Sequence, residues 1–152
     1  MKAAIKFTLL FVVIILLGAC ATSGPKFSEY RTQIQPANPE LGRIYFYRTS
    51  VLGAALRPNV VLNNETVGEA IARGFFYVDR APGEYVVLTS TEVNRKASFT
   101  LEKGQNRYIR FGVSMGFFVG HVYPELVDEQ VALSEISDCS LTGQTNQTRV
   151  QK

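Results

Sequence analysis

The chain predicts an all-β fold, an antiparallel β-sandwich closed by a short C-terminal helix. Three observations carry this expectation. From Leu41 onward, short runs rich in β-branched and aromatic residues recur between turn signals, at the spacing of sandwich strands. One pair of runs alternates strictly: Ala97, Phe99 and Leu101 share one face, Lys96, Ser98 and Thr100 the other, and Ile109, Phe111 and Val113 resume the apolar face after Lys103-Gly104. The connections also have turn chemistry, with Asn63-Asn64 able to take the positive φ of a tight hairpin and Pro82-Gly83 suited to a type II turn.

The N-terminus lies outside that pattern. Lys2 and Lys6 precede an apolar run from Phe7 to Leu17, and Gly18-Ala19 are the small residues a signal peptidase requires before its cut. The run is shorter than the ~20 apolar residues of a spanning helix, and no basic flank follows it. Leu17-Gly18-Ala19-Cys20 resembles the lipobox of bacterial lipoproteins, in which the cysteine thiol takes a diacylglyceryl group and the freed amine is acylated. That resemblance implies a lipoprotein signal peptide over residues 1–19 and a mature chain beginning at a lipidated Cys20. Multiple acyl chains hold a protein stably on a bilayer. Ala21 stands where lipoproteins retained at the inner membrane carry Asp, which implies the periplasmic face of the outer membrane.

Residues 20–40 read as the lipidated Cys and a flexible tether of roughly 25 Å root-mean-square span, with Phe27, Tyr30 and Ile34 available to dock part of it. Residues 41–136 form the expected sandwich. Its strands are read at Arg43–Thr49, Val60–Leu62, Thr66–Gly68, Phe75–Val78, Glu84–Glu92 and the alternating pair above. Asp128 is placed to cap a short helix carrying Val131, Ala132 and Ile136. From Ser137 to residue 152 the chain is polar and reads as a disordered tail.

Gly42-Arg43-Ile44-Tyr45-Phe46-Tyr47-Arg48, Val61-Leu62-Asn63 with Val67-Gly68, Gly74-Phe75-Phe76, Pro82-Gly83-Glu84-Tyr85 and Gly116-Phe117-Phe118-Val119-Gly120 together resemble an uncharacterised family of bacterial lipoproteins, a domain of unknown function. The Pro-Gly-Glu-Tyr segment is also similar to small sandwich modules of the transthyretin-like or PEGA type. These likenesses imply an immunoglobulin- or transthyretin-like module over residues 41–136 and no particular activity. Asn64 departs from the Gly more usual in such turns, which bears on the turn type alone.

The chain carries 16 basic and 13 acidic residues. Loss of the signal removes Lys2 and Lys6, and the near-neutral remainder has no electrostatic footprint for nucleic acid. With Cys20 acylated, Cys139 has no partner within the chain, so the fold cannot rest on a disulfide. His121 is the single histidine, and no Cys or His pair has ligand spacing, so neither a metal nor a cofactor is expected.

Gly112-Val113-Ser114-Met115-Gly116 matches the G-x-S-x-G pattern of serine hydrolases, with His121 and Asp128 downstream. That pattern works on a strand-to-helix turn above a parallel sheet. No amphipathic helix follows Gly116 and no βαβ unit precedes it, so the triad stands only as an alternative. Glu125, Asp128, Glu129, Glu135 and Asp138 read as a solvated acidic face. Arg48, Arg57, Arg73 and Arg80 fall near strand ends, where arginines can gather an anion, with scattered surface charge as the plainer reading. The apolar stretch from Phe111 to Tyr123 is either core or an exposed contact loop. In the second reading Phe117, Phe118 and Val119, beside His121 and Tyr123, meet a partner. The function expected is a non-enzymatic recognition or scaffolding module, membrane-held by its lipid, with an envelope protein as partner. A small serine hydrolase, or a small-ligand binder between the sheets, is the alternative.

Overall fold

A computed structural model describes residues 24–91, 94–115 and 120–143. Cys20, the Leu17-Gly18-Ala19 box and Phe117, Phe118 and Val119 lie outside the described residues. In chain order the elements are α1 (Phe27–Tyr30), β1 (Gly42–Arg48), β2 (Asn59–Leu62), β3 (Glu65–Glu69), β4 (Gly74–Arg80), β5 (Gly83–Ser90), β6 (Asn94–Leu101), β7 (Asn106–Ser114), β8 (His121–Val127), α2 (Glu129–Ile136) and β9 (Ser140–Leu141). The strands form a five-stranded sheet in the order β8-β7-β1-β4-β9 and a four-stranded sheet in the order β3-β2-β5-β6. The all-β sandwich and the helix after Asp128 thus stand.

The sheets are not purely antiparallel as expected. β1 runs antiparallel to β4, with Phe46 opposite Phe76, but parallel to β7, with Tyr45 opposite Tyr108; β9 is parallel to β4. The chain's itinerary explains the first parallel pair. β6 ends at Leu101, which packs where β1 begins, since a Cβ on Gly42 would come within 2.6 Å of the Leu101 side chain. β7 therefore enters the sheet at the same end as β1 and must run alongside it.

Between the sheets, Ile44, Phe46, Val60, Leu62, Phe76, Val87, Leu101, Ile109 and Phe111 belong to one buried cluster. Phe46 stacks on Phe76 at 4.8 Å between ring centroids and on Phe111 at 6.1 Å. The space in which a ligand between the sheets would sit is filled by these side chains. Every residue of β1 is buried, so its other face also needs cover, as a strand with continuous apolar sequence does. Tyr45, Tyr47, Phe75, Tyr77 and Tyr108 line that outer face and meet Phe27, Ala132, Ile136 and Cys139.

In this third layer parts of residues 24–34 and 137–142 dock on the sheet, where a tether and a disordered tail were expected; residues before 24 and after 143 lie outside the described residues. Phe27 packs edge-on to Phe75 and Tyr45, at 5.2 and 5.9 Å between centroids, and its N–H donates to the Cys139 carbonyl at 2.8 Å. The Leu141 N–H donates to the Pro25 carbonyl, and Lys26 bridges to Ser140. Both stretches are held because they cover the aromatic outer face of β1. Tyr30 and Ile34 pack against the same cluster.

The turns follow backbone chemistry. Asn63 and Asn64 have φ of 45° and 70°, the paired positive values of a type I′ hairpin. The Asn63 side chain also bonds the neighbouring strand, accepting from the Val86 N–H at 2.8 Å and donating to the Glu84 carbonyl at 3.0 Å. Pro82-Gly83 does not close a hairpin: β4 and β5 lie in different sheets, and Gly83, at φ 159°, is extended. The corner between sheets is fixed instead by the Tyr85 hydroxyl, which donates to the Ala81 carbonyl at 2.7 Å. A tyrosine bonding back to the backbone upstream is how immunoglobulin-like sandwiches brace such a crossing. Asp128 sits at the N-cap of α2 but makes no side-chain capping bond.

At the end of β1 the guanidinium of Arg48 is fully buried. It donates to the carbonyls of Leu56 at 2.8 Å, Ala70 at 3.0 Å, Leu52 at 2.5 Å and Gly53 at 2.9 Å. Burial pulls its pKa down, and carbonyl dipoles supply the compensation that a carboxylate gives elsewhere. The loop 49–58 and the turn after β3 are tied to the core through this one side chain. Arg48→Met keeps an apolar stem and loses all four bonds. Because a hydrogen bond to a charged group contributes about 1.5–3 kcal/mol, the substitution is expected to lower the unfolding free energy by about 3 kcal/mol or more. Urea denaturation checks this, and an unchanged midpoint refutes it.

Candidate functional site

The strand ladder settles where the candidate triad falls. Ser114 and His121 face each other as the last pair of the β7–β8 hairpin, and directly opposed residues have Cβ atoms about 5 Å apart. Asp128 follows Val127 at the other end of β8, where Val127 pairs with Tyr108. The strand between them is about 20 Å long. The three are not brought together, and Gly112-Val113-Ser114 is strand rather than a strand-to-helix turn.

Gly112 has a packing reason. It lies opposite Tyr123, whose ring would come within 2.5 Å of a Cβ there. Of the expected contact loop, His121 and Tyr123 are described, both half-buried on β8, the edge strand of the five-stranded sheet. Pro124 lies inside that strand, and an edge tolerates its missing donor.

The acidic residues expected to be a solvated face divide in two. Asp128 and Asp138 are exposed, and Lys26 at 3.0 Å holds the Asp138 carboxyl below its ordinary value. Glu129 and Glu135 instead fasten α2 to the sheet, and Glu125 pairs across β7 and β8 with the same Arg110 that holds Glu135. Arg110 donates to Glu135 at 2.7 Å and to Glu125 at 3.0 Å, the Tyr47 hydroxyl donates to Glu135 at 2.7 Å, and the Tyr108 hydroxyl donates to Glu129 at 2.9 Å. Among the described residues no group of three or more His, Cys, Asp or Glu is placed to hold a metal ion.

The arginines do not gather into one site either. Arg48 is the buried cage just described, Arg57 and Arg73 are exposed near the same end, and Arg80 pairs with Glu65 at 3.3 Å at the other end of β4. Arg43 is committed to Asp79 through two bonds of 2.6 and 2.8 Å and lies 4.4 Å over the Tyr77 ring.

Two further surfaces lie outside these groups. The four-stranded sheet is covered on its inner face by the core, and its outer face carries Val61, Val86 and Leu88 around a shallow depression of about 510 Å³ rimmed by Asn63 and Asn64. This face was missed in the sequence, though the unbroken run Val86-Val87-Leu88 marks a strand with apolar residues on both sides. The second surface is the end of the sandwich near Arg48. There Val51, Leu52 and Met115 are 58%, 52% and 81% exposed. Leu56 packs toward Gly120, 3.3 Å from where its Cβ would be, so loop 49–58 touches the β7–β8 hairpin.

A three-layered β-sandwich domain with one open sheet face and an apolar end is the class of protein these features define. Residues 39–122 match a family described as a protein of unknown function (DUF2846), and the chain belongs to that family. It is similar to an uncharacterized protein of Haemophilus influenzae, 33% identical over 133 residues that cover 85% of this chain and 79% of the relative. No solved structure matches the chain. The family match begins just before β1 and ends within β8, so it contains the inter-sheet core and leaves α1 and α2 outside.

Three groups have shifted proton affinities with measurable consequences. Burial, then the facing carboxylates of Glu135 and Glu129, raises the Tyr47 and Tyr108 hydroxyls above their ordinary value of 10.0. Their contribution to stability is therefore full below about pH 10, where the unfolded chain ionises, and is lost as pH rises beyond it. Urea midpoints should fall between about pH 10 and 11, and fall less steeply in Tyr47→Phe with Tyr108→Phe. An identical alkaline decline in that double variant refutes the assignment. Burial also pushes the Cys139 thiol up to about 11, and its Sγ lies 3.7 Å from the Arg48 carbonyl. The native protein should resist Ellman's reagent at pH 8 and react fully once denatured; rapid native labelling contradicts the burial.

Proposed function

We propose that this protein is a lipid-anchored module of the cell envelope that recognises another envelope protein and carries out no chemistry of its own. Acylated Cys20 holds it to the periplasmic face of the outer membrane, and the outer face of the four-stranded sheet meets the partner. The observation that carries the reading is the contrast between the two sheets. The five-stranded sheet is covered on both faces, whereas Val61, Val86 and Leu88 of the other sheet stay open around a depression. Val86 is exposed with Val61 and Leu88 half-buried beside it, a small apolar surface rimmed by Asn63 and Asn64 that a partner protein can cover. The docked segment 24–34 adds to this. With the chain fastened from Gly24 onward, few residues remain between lipid and domain, and the lipid raises the local concentration of the open face toward membrane partners.

The hydrolase alternative loses support from the position of Asp128 at the far end of β8, and small-ligand binding between the sheets from the packing of Phe46, Phe76 and Phe111. In-cell photo-crosslinking from position 86, with Cys20 intact and adducts identified by mass spectrometry, tests the proposal. An adduct to another envelope protein that weakens in Leu88→Ser is the expected result. Crosslinks confined to the chain itself overturn it.

A further inference from the structure

We propose that the end of the sandwich bearing Val51, Leu52 and Met115 rests in the surface of the bilayer that holds the lipid, so that the domain stands end-on; this rests on the reading of Cys20 as acylated. The strand ladder defines that end. Arg48 is paired with Gly74, loop 49–58 joins β1 to β2, and β7 runs parallel to β1 to finish at Ser114 beside Met115.

The reach of the anchor decides between the two ends of the domain. Gly24 lies against Leu141, and Leu141 is paired with Phe75, the second residue of β4. The four residue steps from Cys20 to Gly24 span at most ~14 Å when fully extended. From the level of Phe75, the Arg48 end of the sheet is one residue away, about 3 Å. The opposite end, at Arg80, is five residues away, about 17 Å. Cys20 can therefore clear the first end and cannot pass the second. A lipid on Cys20 brings the bilayer to the Arg48 end.

What waits there suits an interface. Val51, Leu52 and Met115 are the apolar tips described above. The first two are preorganised, since the buried guanidinium of Arg48 holds the Leu52 and Gly53 carbonyls and keeps the loop from folding its apolar side chains inward. β9 and β1 are two strands apart, about 10 Å, so the anchor and the tips can meet one membrane surface together. Exposed Arg57, Arg73 and Arg95 lie at this end against exposed Glu69 and an Asp138 already paired with Lys26. That basic excess complements anionic headgroups.

The sequence contains no Trp, so one introduced indole reports one position. Full-length acylated protein carrying Leu52→Trp, Met115→Trp, Val86→Trp or Leu133→Trp is placed on vesicles of phosphatidylethanolamine and phosphatidylglycerol containing phosphatidylcholine brominated in its acyl chains. All four positions are exposed, and circular dichroism verifies each fold. The expected result is a blue shift and loss of fluorescence for the probes at 52 and 115, with those at 86 and 133 emitting as in water. Quenching at 133 without quenching at 52 means the domain lies on α2 and overturns the proposal, as does a vesicle-bound protein in which no probe is quenched. Shielding of position 52 that appears only on adding envelope proteins also overturns it, in favour of a protein contact. If the wild-type protein and Cys20→Ala both fail to float with vesicles, the lipid-anchor reading itself has failed and takes this proposal with it.

Discussion

Arg48 is the residue on which the architecture turns. A cation with no carboxylate partner is buried in a core where an unpaired charge would be untenable, and it is tolerated because carbonyls from two separate stretches of chain converge on it. The dependence runs both ways. Loop 49–58 has no regular strand or helix to satisfy its backbone, and the turn after β3 must pass over the end of the core. Both are disciplined by one guanidinium, and the thiol of Cys139 closes on the Arg48 carbonyl from the other side of the sheet. The loop is therefore an ordered surface with a defined outward face.

The second governing feature is the two-sided burial of β1. Ile44 and Phe46 enter the inter-sheet core while Tyr45 and Tyr47 enter the outer layer. Tyrosines in that outer layer have a physical logic, because their rings bury apolar area and their hydroxyls reach the carboxylates of α2. Glu129 and Glu135 are consequently structural. The same requirement for cover pulls segment 24–34 onto the sheet. A packing constraint on one strand thus sets where the chain before β1 runs over the sheet.

Much of this was legible in the sequence, and the failures have specific causes. The alternation around Phe99 and Ile109 and the paired asparagines at 63 and 64 located strands and a hairpin correctly, because half-buried strands and positive φ leave local signatures. β8 escaped because Pro124 interrupts it, and only its edge position makes that acceptable. β9 and α1 are too short to have a period. The outer layer was implied by the unbroken apolar run Ile44-Tyr45-Phe46-Tyr47, which no two-layer sandwich buries on both sides. The pairing of Ser114 with His121 follows once the hairpin is drawn, and the same drawing removes Asp128 from their neighbourhood. The open face at Val86 was hidden because apolar sequence alone does not tell an exposed strand face from a buried one.

The parallel pairing of β1 with β7 has a consequence for the chain before it folds. β1 is made early, yet its two faces close only when Ile109 and then Ile136 arrive. Until then Ile44-Tyr45-Phe46-Tyr47 is a bare, strongly β-forming segment of the kind that nucleates intermolecular stacking. Arg43 and Arg48 bracket it, and charges flanking a hydrophobic strand act as gatekeepers against self-association. The two arginines buried at either end of β1 in the finished domain are thus the same charges that keep the unfinished chain soluble.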